Sequence, residues 1–328
     1  MAPVYLVNDL GTLPGITGST GYAINASGEV AGASTTALLW SPNSGLKNLG
    51  TLPGGGGSVA YGINRWAHVV GVADLPGGNS HAFLWTGGGG MQDLGLLPNT
   101  VNSEAFGINR IGEVVGDASD PNDYVHPFLW NRGAGMQDLG TLPGGQVARA
   151  TAINNSSQVV GYSNFQNKLR PVPTYHAYLW SRCCGMEDLG TLSGNDNSLA
   201  YGVNHSCHVV GESVLAGGQN DHAFLWTRCD GMRDLGTLPG GNVSSATGIN
   251  RRDVVVGSSD FANSGGATHA FVWTNQTGMQ DLNSLIPPQS GWVLTKATAI
   301  NRPGQITRYG TIGNQTHAFL LTPSVPIC

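Results

Sequence analysis

From His222 to Gly241 the chain reads HAFLWTRCDGMRDLGTLPGG. A histidine, two aspartates, two arginines and a cysteine in so short a run could form a metal or catalytic site, or could only build a fold. Recurrence decides between them. The DLGTLPG segment appears at Asp9, Asp138 and Asp234, as NLGTLPG at Asn48, DLGLLPN at Asp93 and DLGTLSG at Asp188, and in worn form as DLNSLIP at Asp281. The HAFLW segment starts at His81, His126, His176, His222, His269 and His317, with Thr36 opening the first copy as TALLW. A third signature, [AG][IV]N, ends at Asn25, Asn64, Asn109, Asn154, Asn204, Asn250 and Asn301, and VAG or VVG follows it in every copy but the last, which reads ITR. The order never changes, and the period of roughly 39 to 50 residues suits four-stranded propeller blades.

Each signature reads as a short strand. SVAYGIN alternates Ser58, Ala60 and Gly62 with Val59, Tyr61 and Ile63, while HAFLW is apolar on both faces, as a sheet packed between two neighbours requires. Gly, Asn and Pro punctuate every junction, and no helical period is sustained. The tight connections join GIN to VVG and HAFLW to GMxDLG, so the blade runs A (SxAxGIN), B (VVGxS), C (HAFLW), D (MxDLG), with D leading to the next blade. The chain opens on a lone D strand over 4–11 and ends on a seventh C strand, so the first segment can complete the last blade, 296–321. The expected fold is an all-β, seven-bladed β-propeller occupying 1–328 as one domain and closed by its N-terminal strand.

In combination, HAFLW…GMxDLGTLPGG…SxAxGIN…VVG resembles the HAF repeat family, named for its His-Ala-Phe motif, across nearly the whole chain. That resemblance implies an extracellular bacterial setting and a repeat fold, and no particular reaction. Thr36, Asn48 and the degraded seventh copy depart from it and read as an array that has aged at its ends.

Bulk composition narrows the partners. A formal charge of −5 with only 11% charged residues argues against nucleic acid, and no apolar run is long enough to span a membrane. The start MAPVYLVNDLGTL has neither a basic n-region nor an apolar h-region, so an extracellular or cell-surface chain would have shed its leader; that location is the expectation. Five cysteines (Cys183, Cys184, Cys207, Cys229 and Cys328) cannot all pair within one chain, and no CxxC spacing suggests zinc.

One active site does not need six copies of a residue around a ring, so the repeated His, Asp and Trp are expected to be scaffold, with each imidazole lying between serine hydroxyls of strands A and B. Function should sit where the repeat breaks. The residue five before each repeat Asn, at the entry to the inner strand, is Thr20, Val59, Glu104, Arg149, Leu199, Ser245 or Lys296. The charged three are either a site or merely solvated. The B–C loops add Asp117 and Asp120 in GDASDPNDYVH, and Lys168, Arg170 and Tyr175 in SNFQNKLRPVPTYH. The acidic loop could hold calcium, although its spacing fits no known calcium loop. Trp292, in PPQSGWVLTK, and Trp66 fall outside the repeat and could stack on a sugar or cap an apolar patch.

On the opposite rim, Arg65, Arg110, Arg251 and Arg302 follow the repeat Asn, where turn solvation is the simple account. His205, Cys207 and His208, with Cys183, Cys184 and Cys229, could gather a soft metal, pair as a disulfide, or stand idle; no metal or other cofactor is expected. There is no GxSxG elbow, P-loop or HExxH. The leading expectation is a module that binds a polar small molecule or polysaccharide at the loop face. The alternatives are a lyase, hydrolase or cyclase built on Glu104, Arg149 and Lys296, and a purely structural envelope or matrix repeat.

Overall fold

The structure is a computed structural model, described over residues 5–165, 174–194, 197–215 and 220–324. Seven antiparallel four-stranded sheets form a ring. In blade 3, strand A is Asn102–Ile108, B is Val114–Ser119, C is Val125–Asn131 and D is Gly135–Asp138. The same order recurs in blades 1 (20–50), 2 (58–93), 4 (148–188), 5 (198–234) and 6 (244–281). Blade 7 takes A, B and C from 292–323 and its outer strand from Tyr5–Asp9, which pairs with Gln315–Pro323. This is the closure that the lone D strand predicts, and it leaves the last sheet fully paired. Tyr5, wholly buried, anchors the closing strand and donates its backbone N–H to Leu285 O.

Packing follows the apolar positions of strand C. Phe83, Phe128, Phe224, Phe271 and Phe319 are fully buried, and Tyr178 stands in their place in blade 4. Trp85, Trp130, Trp226 and Trp273 are buried between blades, while Trp40 and Trp180 are partly covered. Among the described residues no helix is long and apolar enough to cross a membrane.

Two polar systems join the blades. Each repeat Asn is buried, and its Nδ2 donates to the backbone oxygen of the equivalent Asn in the next blade, at 3.0 to 3.4 Å around the whole ring, with Asn301 returning to Asn25. The second is the strand A serine. Ser58 Oγ donates to Gly50 O and accepts from Ala37 N of the preceding blade, and Ser19, Ser103, Ser198 and Ser244 repeat the arrangement. Blade 3 has Pro127 where its neighbours have Ala, so no N–H is offered, and blade 4 has Ala148 where the hydroxyl would accept it. Donor and acceptor are lost together, which leaves neither buried and unpaired.

The repeat histidines differ from expectation. Their partner is the strand D aspartate, not a serine: Nδ1–H points at the carboxylate in His81–Asp93 (2.8 Å), His176–Asp188 (2.8 Å), His222–Asp234 (3.0 Å), His269–Asp281 (2.7 Å) and His317–Asp9 (2.9 Å), with His126–Asp138 looser at 3.6 Å. The serines are already taken by backbone groups of the preceding blade. In blade 1 the two departures from the repeat meet, because Thr36 Oγ1 donates to Asn48 Oδ1 at 2.9 Å. They are one compensated contact, not decay.

The same carboxylate also caps the D–A link, as where Asp234 Oδ1 accepts from Gly236 N. Asp234→Asn, which preserves that cap, should cost under about 0.5 kcal/mol in denaturant unfolding, and Asp234→Ala about 1 kcal/mol. Equal losses would show that the ion pair, and not the cap, is what matters.

Candidate functional site

All seven inner strands carry a β-bulge at one register position, the residue three before the repeat Asn. In blade 3, Ala105 pairs with Gly116 and Gly107 with Val115, leaving Phe106 unpaired. A bulge re-aims its extra side chain. The bulged residues are Tyr22, Tyr61, Phe106, Thr151, Tyr201, Thr247 and Thr298. The threonines cross-link the ring, donating to Ala200 O, Ala297 O and Gly21 O of the following blades. The aromatics of blades 1 to 3 form an arc, with Tyr22 edge-on to Tyr61 at 5.1 Å and Tyr61 tilted on Phe106 at 5.3 Å. The VVG glycine makes the bulged passage possible: a Cβ on Gly116 would sit 1.8 Å from Glu104 O.

Charged groups gather beside this arc at the end of the channel where the D–A and B–C connections lie. Glu104 pairs in register with Asp117, and Arg149 of blade 4 reaches across so that its Nε is 3.3 Å from Asp117 Oδ2. Asp117 is 5% exposed, and its Oδ2 makes no hydrogen bond within the chain, so the arginine lies close without being aligned. Burial, reinforced by Glu104, pushes the Asp117 carboxyl up to about 7 against the pull of Arg149. Burial also raises Glu104, with Arg149 opposing. Tyr162, edge-on to Tyr175 at 5.9 Å, is raised by burial and feels both Arg149 and Asp117.

The structure corrects several sequence expectations. Lys296 lies on blade 7, across the ring from Glu104 and Arg149, and the charged groups acting on it are Arg308, which with burial lowers its pKa, and Glu212, which opposes them. Asp117 belongs to strand B, not to the loop. Asp120 does open the loop, but its Oδ1 is spent on the backbone N–H groups of Asn122 and Tyr124. Trp292 begins strand A of blade 7 and is 8% exposed, packed edge-on to Phe319 in the blade core, so it cannot stack on a ligand. Tyr175 is half-buried beside Tyr162, while Lys168 and Arg170 lie outside the described residues. His208 is held by Asp253 at 2.8 Å and Cys207 packs on the blade core, whereas His205 stands apart at the opposite channel mouth. Among the described residues no group of three or more His, Cys, Asp or Glu could hold a metal.

Two functional candidates were missed. Arg308 occupies the place of the VVG glycine in the ITR copy, where a second bulge between Leu294 and Lys296 loosens strand A. Its guanidinium lies over Tyr22 at 4.4 Å and Tyr309 at 5.2 Å. Glu212 accepts a hydrogen bond from the Tyr201 hydroxyl at 2.8 Å. The signal for Arg308 was present, because replacing a glycine that every other blade keeps is a break in the repeat. Around this end of the channel stand three acids (Glu104, Asp117, Glu212) and three bases (Arg149, Lys296, Arg308) interleaved with tyrosines.

No protein-family model matches the chain, and no curated protein matches it by sequence. Solved structures match in fold. Streptogramin B lyase is 8% identical over 97% of this chain and 98% of its own, with a TM-score of 0.52. The extracellular domain of a one component system from B. thetaiotaomicron is 8% identical over 96% of this chain, with a TM-score of 0.52, and this chain spans 39% of that one. At such identity the likeness carries the propeller architecture alone.

Proposed function

We propose that the chain is an extracellular binding module that takes a carbohydrate or similar polar ligand at this channel mouth. The observation that carries the reading is the bulge-aimed arc of Tyr22, Tyr61 and Phe106 running into the buried Glu104–Asp117–Arg149 group. Sugar rings have apolar faces suited to aromatic rings, and hydroxyls suited to carboxylates and guanidinium groups. The extracellular setting rests on the resemblance to HAF repeats. A glycan array followed by calorimetry tests the reading. Tyr61→Ala and Arg149→Ala should each weaken saccharide binding at least about tenfold while leaving the fold intact. An intact chain that binds no saccharide would overturn it.

A second reading, acid–base catalysis of the lyase, hydrolase or cyclase kind, is favoured by Asp117, whose carboxyl titrates close to neutral pH beside Glu104 and Arg149. Turnover of a bound saccharide, lost in Asp117→Asn, would select it over simple binding.

A further inference from the structure

At the other end of the channel the A–B turns enclose a cup of about 610 Å³. It has three tiers. The deepest is an apolar collar of Ile24, Ile63, Ile108, Ile153, Val203, Ile249 and Ile300, and above it sits the ring of repeat asparagines. The rim is the residue after each Asn, and at this single position Arg65, Arg110, Arg251 and Arg302 face the cup, joined by His205 and Asn155.

The asparagines cannot serve a ligand. Their Nδ2 groups are committed to the next blade, and their Oδ1 atoms accept backbone N–H groups of their own turns, as Asn109 does from Ile111 and Glu113. The carboxylates nearest the rim are also engaged. Glu113 takes Arg182, Ser157 and Asn109, Asp253 takes His208 and Asn204, and Glu29 takes Asn25. None of the four rim arginines forms an ion pair with a described carboxylate. The protein is acidic overall, so four exposed guanidinium groups converging on one cup concentrate positive charge against its net −5. Arg65 lies over the Trp66 ring at 4.5 Å, which engages the face of its guanidinium and not its N–H edge. A neutral sugar would find few uncommitted polar partners here; an anion would find four forked donors.

We propose that this second mouth binds a compact multivalent anion, of the phosphorylated or polycarboxylated class, through Arg65, Arg110, Arg251 and Arg302. The site is independent of the carbohydrate reading, because it uses different residues at the opposite end of the channel.

Calorimetry with tripolyphosphate and, separately, citrate tests it on the full chain. Binding of either in the micromolar range, weakening as salt rises from about 20 to about 150 mM, is expected, and the better probe identifies the anion's chemistry. Arg110→Gln/Arg251→Gln should weaken the better probe at least about tenfold, against less than about twofold for the charge-matched double Arg132→Gln/Arg233→Gln, one in the C–D turn of blade 3 and the other on the outer strand of blade 5. These side chains are exposed, so folding should persist, as circular dichroism would verify. No binding of either probe at about 1 mM in low salt would overturn the proposal, as would equal weakening by the two doubles, which would mark a response to net charge alone.

Discussion

Asp117→Asn should make the protein more stable at pH 8 and, at the same time, impair its ligand binding. In the folded state burial raises the carboxyl from 3.8 to about 7, so the folded chain holds the proton more tightly than the unfolded chain does. Well below pH 3.8, at about pH 2 to 3, both states are protonated and the residue costs nothing. The penalty grows as pH rises through the interval up to about 7, and is constant beyond. An amide has no charge to bury, so the substitution should gain about 1–3 kcal/mol at pH 8 and almost nothing at about pH 3 in chemical denaturation. The figure stays below the full linkage value, which already contains the pull of Arg149, because the introduced amide would stand at a buried position where Asp117 Oδ2 finds no hydrogen-bond partner. With its side chain 41% exposed, Arg149 can be satisfied by water instead of the carboxylate. A variant less stable than the parent at pH 8 would mean that the arginine outweighs burial. A carboxylate that costs stability beside an aromatic arc fits the proposed binding site, where stability is commonly given up for function.

Most of the architecture could be read from recurrence, because connection length fixes which strands are neighbours and the two chain ends supply complementary parts of one blade. Side-chain partnerships were less accessible. The histidine partner could have been found, since His and Asp, or Thr36 and Asn48, stand twelve residues apart in each C–D hairpin, whereas chemical plausibility pointed to the serines. The bulge was hidden for a different reason. A period-two reading of SVAYGIN treats Tyr61 as an ordinary alternating position, yet the register shifts there, and the shift aims the ring at its neighbours in blades 1 and 3. Position five before the Asn put Glu104 and Arg149 at one height on adjacent blades, and there both lie beside Asp117. It also pointed to Lys296, because a register marks height along the channel but not which blades face one another. Asp117 was picked out for the right break in the repeat and assigned to the wrong element.

The asparagine ring yields the sharpest structural test, through a change that keeps shape and alters only hydrogen-bonding sense. Asn109 is 3% exposed; its Nδ2 donates to Asn154 O at 3.4 Å and to Glu113 Oε2 at 2.7 Å. Asn109→Asp turns that donor into an acceptor facing a carbonyl and a carboxylate that Arg182 already holds ionised. Burial alone would raise Glu113, but hydrogen bonds from Ser157, Arg182 and Asn109 hold its pKa below the usual range. Two charges would then meet in a site with little water, at a cost of about 3–5 kcal/mol in equilibrium unfolding at neutral pH. Asn154→Asp is the matched control. There the same nitrogen faces Gln158 Oε1 at 2.7 Å, and the glutamine amide can turn to present its own N–H. The link to Asn204 O is lost and the new carboxylate is buried beside that carbonyl, but no second carboxylate faces it, so this variant should cost less, about 1–3 kcal/mol. Lowering the pH toward 4 should narrow the gap between the two, because protonating either carboxyl of the 109/113 pair restores a donor. If the two variants are equally unstable at every pH, the amides act by shape and inter-blade hydrogen bonding alone, and the local carboxylate has no part in holding the ring shut.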